Sequence, residues 1–260
     1  APMASAEVVE IDYTRLEAGE NLSAELAKAY GDGALGILVV RNVPGAAERR
    51  QQLLPLSRAL ARLPSEALES LVRPDTFYCY GWSHGKEKFK GAPDLAKGSF
   101  YANPLYDDPA DGDEEAQAKY PYAASRNTWP NELPELEEAF KAMGRLLRDV
   151  AKLILKQCDT MVASQAGYTT ALHDTTFEKS KMVAGRLLHY FPMDEGCEGN
   201  WCGWHNDNST ITGLVPALWM DDNSGKEVPA PTESEGGLYI QSRSGTVAKV
   251  SLPADSLAFQ

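Results

Sequence analysis

The chain has 260 residues, 43% hydrophobic and 24% charged, an ordinary globular composition with room for one large domain or two small ones. A formal net charge of −12 argues against nucleic acid as a partner, and no apolar run reaches the length of a membrane span. Four cysteines, Cys79, Cys158, Cys197 and Cys202, are too sparse and irregular for a disulfide scaffold and fit a reducing compartment. The expected setting is intracellular and soluble. It is cytoplasmic or organellar, with a plastid included if a transit peptide has been removed ahead of Ala1.

Val8 to Tyr13 reads as a short strand, and Asn21 to Tyr30 as a helix with Leu22, Leu26 and Ala29 on one face. Gly31-Asp-Gly-Ala-Leu-Gly follows, then a strand from Ile37 to Val43. The glycines formally match a dinucleotide fingerprint, which needs a strand before it and a helix after it. Here the order is helix, glycines, strand, which describes a plain turn. Ala46 to Leu63 and Ser65 to Leu71 read as helices, the second capped by Ser65. Arg73 to Pro109 is a long segment rich in Gly, Tyr, Phe and Trp with no clear regular pattern. It belongs to a lid-like stretch, 73–125, that serves either as a site wall or as plain core under a long loop. Asp107 to Glu115 reads as a solvated acidic loop. A long amphipathic helix follows Asn127-Thr-Trp-Pro, with Leu136, Phe140, Met143, Leu147, Val150, Ile154 and Leu155 as its stripe.

From Lys181 onward the period changes to two. Strands are expected at Val183–Phe191, around Trp201–His205, at Ser209–Leu214, Ala217–Asp221, Gly237–Ser242, Val247–Val250 and Ser256–Gln260. Helices first and strands later predict an α+β fold, with 1–180 as a helical N-terminal region and 181–260 as the β-core.

The chemistry concentrates in Gly203-Trp-His-Asn-Asp-Asn-Ser-Thr. His205 and Asp207, one residue apart, lie on one face of an extended segment and could reach one metal ion. Such a pair supplies two corners of the two-histidine, one-carboxylate facial triad of non-haem iron sites. No histidine follows His205. A structural zinc site built on Cys197, Cys202 and His205 is the competing idea, though the spacing is not a standard one. His84 reads as a loop histidine, His173 as a structural one, and His189 as a strand residue near the pocket.

Three further runs extend the pattern: Arg186-Leu-Leu-His-Tyr-Phe-Pro, Gly236-Gly-Leu-Tyr-Ile-Gln-Ser-Arg-Ser-Gly-Thr-Val and Ala254-Asp-Ser-Leu-Ala-Phe-Gln. With the His205 loop between them, they resemble the Fe(II)/2-oxoglutarate-dependent oxygenases, in the branch of isopenicillin N synthase and the plant-type dioxygenases. The resemblance is strong from residue 183 and looser before it.

It implies a double-stranded β-helix, or jelly-roll, core that is incomplete at its C-terminal end in this chain. It implies Fe(II) on His205 and Asp207, 2-oxoglutarate as co-substrate near His189 and Phe191, and Trp204 and Tyr190 in the substrate pocket. The partners are then dioxygen and a small organic substrate. Phe191 stands where many plant-type members place a tyrosine, and it cannot donate that hydroxyl's hydrogen bond. His189 stands where an asparagine is frequent. Two other outcomes stay open: a catalytically silent relative acting as a binding or assembly module, and an iron enzyme without 2-oxoglutarate. A natural terminus after the strand-like run Ser256–Gln260 would be expected to leave a core strand with unpaired neighbours and an open sheet edge.

Overall fold

The computed structural model describes residues 8–86, 88–89, 92–165, 167–169, 171–192, 202–230 and 236–260. The first half begins with strand β1 (Val9–Asp12), helices α1 (Tyr13–Glu17) and α2 (Ser23–Tyr30), and strand β2 (Leu38–Arg41). Helices α3 (Ala46–Ala61) and α4 (Ser65–Ser70) follow, then strands β3 (Gly81–His84), β4 (Lys88–Phe89), β5 (Ala92–Pro93) and β6 (Lys97–Ala102). Short helices α5 (Glu114–Lys119) and α6 (Pro121–Ala124) lead to the long α7 (Glu135–Val162). The rest is β7 (Gly185–Tyr190), β8 (Gly213–Leu214), β9 (Leu238–Gln241), β10 (Val247–Val250) and β11 (Leu257–Phe259). The result is a mixed α/β fold with several sheets.

The helices form where the apolar spacing predicts them. α7 buries Leu136, Phe140, Met143, Val150, Ala151, Ile154 and Leu155. Glu135, Glu137 and Glu138 occupy its first turn, where negative charge meets the positive end of the helix dipole. α4 is preceded by Pro64 at the cap position, so Ser65 is its first residue and not its cap. The Gly31–Gly36 turn joins α2 to β2 in the order helix, glycines, strand, with Gly33 and Gly36 at positive φ.

Two sheets organise the molecule. One has the order β1-β2-β11-β8. β11 lies in its interior, with Leu257 opposite Val40, Phe259 opposite Leu38, and Ala258 opposite both Val39 and Leu214. Leu257, Ala258 and Phe259 are fully buried. The expectation of a terminal strand without neighbours is therefore corrected, because N-terminal β2 pairs with it on one side and β8 on the other.

The second sheet has the order β3-β6-β7. The aromatic stretch 73–109 is thus not a loop throughout, since it contributes β3 and β6. Trp82, Phe100 and Leu187 stand opposite one another in register and face the core. Phe100, Trp129 and Phe140 form an aromatic trio with centroids 5.5–6.0 Å apart, which joins this sheet to α7. Both sheets draw strands from either side of residue 180.

Two strand expectations fail. Residues 203–212 carry no strand, and only Gly213–Leu214 of the predicted 209–214 run joins a ladder. Residues 217–219 are irregular as well, with a single bridge from Met220 to Glu227. The reason is composition. Asn206, Asp207, Asn208 and Ser209 favour local turns over a ladder. The 216–227 loop is tied instead to α3. Buried Arg50 donates from Nε to the Pro216 carbonyl at 2.9 Å and from Nη2 to the Ala217 carbonyl at 2.6 Å. Arg58 and Arg62 both donate to the Asp222 carbonyl. Among the described residues no helix is long and apolar enough to cross a membrane.

Candidate metal centre

β8 and β11 place the His205 loop. Beyond their last paired residues the ladder continues through Thr212 and Gln260, whose backbone groups exchange hydrogen bonds of 2.8 and 3.0 Å. Gln260 is thereby set beside the loop, and its Nε2 donates to Asp207 Oδ2 at 3.1 Å. The other carboxylate oxygen, Oδ1, lies 3.4 Å from His205 Nε2. His205 Nδ1 lies 2.9 Å from the Gly203 carbonyl oxygen, close enough to donate its proton there. In that tautomer Nε2 carries the lone pair, and it is the nitrogen turned toward Asp207.

This arrangement suits a metal ion. Bonds of about 2.1 Å at right angles put two donor atoms about 3.0 Å apart, and the observed 3.4 Å separation is close to that edge. Each ligand also has its remaining polar atom engaged, the imidazole by a backbone carbonyl and the carboxylate by an amide. Such second contacts fix the tautomer and orientation of metal ligands. Among the described residues no third histidine, cysteine or carboxylate joins the pair into a three-donor group. Cys202 Sγ lies 3.9 Å from His205 Nδ1, on the ring edge away from Asp207. Cys197 and Trp201 lie outside the described residues.

A separate cluster lies on β3, β6 and β7. Register sets His84 opposite Gly98 and Gly98 opposite His189, so two imidazoles flank one glycine on the core face. Gly98 is needed there because the Trp82 indole lies across it, and a Cβ would come within 2.3 Å of the ring. Phe191, held by its N–H on the Ala96 carbonyl at 2.9 Å, lies between the histidines. Its ring stacks on His84 at 4.7 Å and meets His189 edge-on at 4.8 Å. His84 is thus a strand residue within this cluster and not an isolated loop histidine.

Burial holds the His189 imidazole below its ordinary pKa. The Asp222 carboxylate opposes this, and Arg58, Arg62 and His84 reinforce it. The ring is therefore predominantly neutral near pH 7. Arg186 points away from this cluster, bonding Ser99 Oγ at 2.8 and 3.1 Å and lying over Tyr101 at 5.0 Å.

Tyr190, next to His189 in β7, points to the opposite face of the sheet, on the side of Cys202. Burial raises the pKa of its phenol, and the nearby Cys202 thiol adds to the effect. Trp204 is 58% exposed and Tyr190 39%, so neither forms an enclosed wall. His173 belongs elsewhere, with Nδ1 3.0 Å from Asp174 and its N–H on Asp159. Gln260, Gly203 and His84 are the neighbours of the candidate residues that motif reading misses. The first two act through an amide and a carbonyl, groups that no motif marks.

No family model and no curated protein matches this chain. Solved structures do. The chain is similar to a putative 2OG-Fe(II) oxygenase family protein from Caulobacter crescentus, with a TM-score of 0.71 at 21% identity, over 99% of this chain and 74% of that one. It is similar to a full-length Neurospora crassa protein in complex with alpha-KG, with a TM-score of 0.66 at 21% identity, over 97% and 72%. JOX2 in complex with 2OG, Fe and JA gives a TM-score of 0.65 at 17% identity, over 99% and 65%. The chain has the fold of the 2-oxoglutarate- and Fe(II)-dependent oxygenases.

Proposed function

We propose that the protein is an Fe(II)-dependent oxygenase that couples decarboxylation of 2-oxoglutarate to oxidation of a small organic substrate. The observation that carries this is the His205 Nε2–Asp207 Oδ1 pair, with both donors oriented by further contacts. The shared fold supports it, as do the bound groups of similar structures. The Neurospora crassa protein was solved with alpha-KG, and JOX2 with 2OG and Fe. The β3-β6-β7 and β1-β2-β11-β8 sheets are read as layers of a jelly-roll core, with the helices around α7 as the N-terminal region.

His205 and Asp207 would hold the iron, and His189 with Phe191 would border the co-substrate. Iron with 2-oxoglutarate supplies dioxygen activation and the oxidising power for a C–H bond. The chain's own part is orientation and exclusion of water. Gly203 keeps the His205 lone pair on Nε2, and Gln260 holds the Asp207 carboxylate in one rotamer. The Phe191 ring, edge-on to a neutral His189, offers an apolar wall beside one neutral hydrogen-bonding group. Trp204 and Tyr190 are proposed to border the substrate from the loop side.

The test is oxygen uptake by the full-length protein with Fe(II), ascorbate, 2-oxoglutarate and a panel of small substrates. Succinate should form in step with 2-oxoglutarate loss. Binding of iron and 2-oxoglutarate without succinate under any substrate would instead favour a silent binding module.

A further inference from the structure

The β3-β6-β7 sheet has a second face. Alternation along the strands turns Ser83, Lys97, Ser99, Arg186 and Tyr190 away from the side of His84, Gly98 and His189. Ser83 and Ser99 are buried and stand opposite each other. With Gly85, Asp94 and Lys97 they line a cavity of ≈10 Å³. About 10–15 Å³ is the room that one water-sized atom needs, so this cavity suits a single oxygen.

Its lining offers protons. Ser99 Oγ accepts from Nε and Nη2 of Arg186, at 3.1 and 2.8 Å, and so commits its lone pairs. Its own proton has no acceptor among the described residues, and neither has that of Ser83. The Lys97 side chain is only 10% exposed, and its ammonium lies 2.7 Å from Asp94 Oδ2. Asp94 Oδ1 accepts the Ala96 N–H at 3.1 Å. Two buried hydroxyl donors and an ammonium around one atom-sized space call for an acceptor. A carboxylate oxygen fits best, since hydrogen bonds to a charged acceptor are about twice as strong as neutral ones.

This face lies on the side of the His205 loop. Lys97 stands opposite Tyr190 in the ladder. Apart from burial, the groups that act on the Tyr190 phenol are Cys202, Arg186, Lys97 and Asp94. Cys202 Sγ is in turn 3.9 Å from His205 Nδ1. We propose that the cavity anchors the carboxylate of an organic acid, with one oxygen among Ser83, Ser99 and Lys97. The rest of the acid then passes over Tyr190 toward His205 and Asp207. The acid is the organic substrate or 2-oxoglutarate itself, and its part in a reaction rests on the oxygenase proposal.

The experiment is a 1H–15N NMR titration of the full-length protein, at constant ionic strength, with sodium butyrate and with its uncharged counterpart butyramide. Butyrate should shift the amides of Ser83, Gly85 and Ser99, and butyramide should bind about tenfold more weakly. Ser83→Ala should weaken butyrate binding about tenfold. Its melting temperature should stay or rise, because the lost hydroxyl bonds nothing among the described residues. Ser83→Val, which fills the cavity, should abolish binding. A repeat with zinc(II), a diamagnetic stand-in for iron, and saturating 2-oxoglutarate identifies the acid. Butyrate shifts that persist assign the anchor to the substrate, and shifts that vanish assign it to 2-oxoglutarate. Equal affinity for butyrate and butyramide, or no shift at Ser83 up to the solubility limit of sodium butyrate, means a bound water only and overturns the inference. Succinate formation with parental KM values in Ser83→Ala removes this inference alone. Butyrate binding without iron or 2-oxoglutarate binding removes the oxygenase proposal alone.

Discussion

Asp207 takes its orientation from a residue 53 positions later, because pairing of β8 with β11 carries Gln260 to its side. Gln260→Leu should weaken metal binding about tenfold or more, as loss of a contact behind a metal ligand usually does. Its melting temperature should stay near that of the parent, since the contact lies at the exposed end of the sheet. Calorimetric metal titration beside thermal unfolding checks both halves. His189 yields a pH prediction. Its pKa is depressed in the fold, so the unfolded chain binds more protons between the folded value and the ordinary value of about 6.5. Its contribution to stability is complete above about 6.5 and is lost as pH falls through the folded pKa. His189→Gln should flatten that part of the stability–pH curve, and urea titrations from pH 7 downward would show it. The His205 and Asp207 pair was legible because two ligand types stood one residue apart. Their convergence comes from Gly203 and Gln260, and neither a glycine carbonyl nor a lone glutamine stands out in a sequence.

Helix α7 was the most legible element, since its stripe repeats over 28 residues and its polar face is charged throughout. Phe140 joins that stripe to the β3-β6-β7 sheet through Phe100 and Trp129. Phe140→Ala should cost about 3–5 kcal/mol in denaturant unfolding. β3 and β6 were not legible. Their facing pair Ser83 and Ser99 is buried, so the apolar–polar alternation that marks a half-exposed strand is missing. The arginines of α3 were equally silent, because a polar face on a helix reads as solvated. Arg50 is 6% exposed and instead donates to two carbonyls of the 216–227 loop. Arg50→Met should destabilise by about 2–3 kcal/mol, because its removal leaves the buried Pro216 carbonyl without its charged donor. Hydrogen exchange should show the loss of protection centred on residues 216–228.

At the scale of the whole molecule, strands from both ends of the chain share each sheet. β1 and β2 join β11 and β8 in one, while β3 and β6 join β7 in the other. A run of helices followed by a run of strands suggested a helical half and a β half. Register across sequence distance is what such patterns leave out, since strand partners are chosen by packing and not by order. One cooperative unfolding transition is expected, with near- and far-ultraviolet circular dichroism coinciding. The central claim is that His205 and Asp207 bind iron for 2-oxoglutarate chemistry. Its most direct test is anaerobic calorimetry of the full-length protein and of its His205→Ala and Asp207→Ala variants. The parent should bind a single Fe(II) and then 2-oxoglutarate only in its presence, while both variants keep their melting temperatures and bind neither. Variants that bind iron and 2-oxoglutarate as the parent does would contradict the assignment.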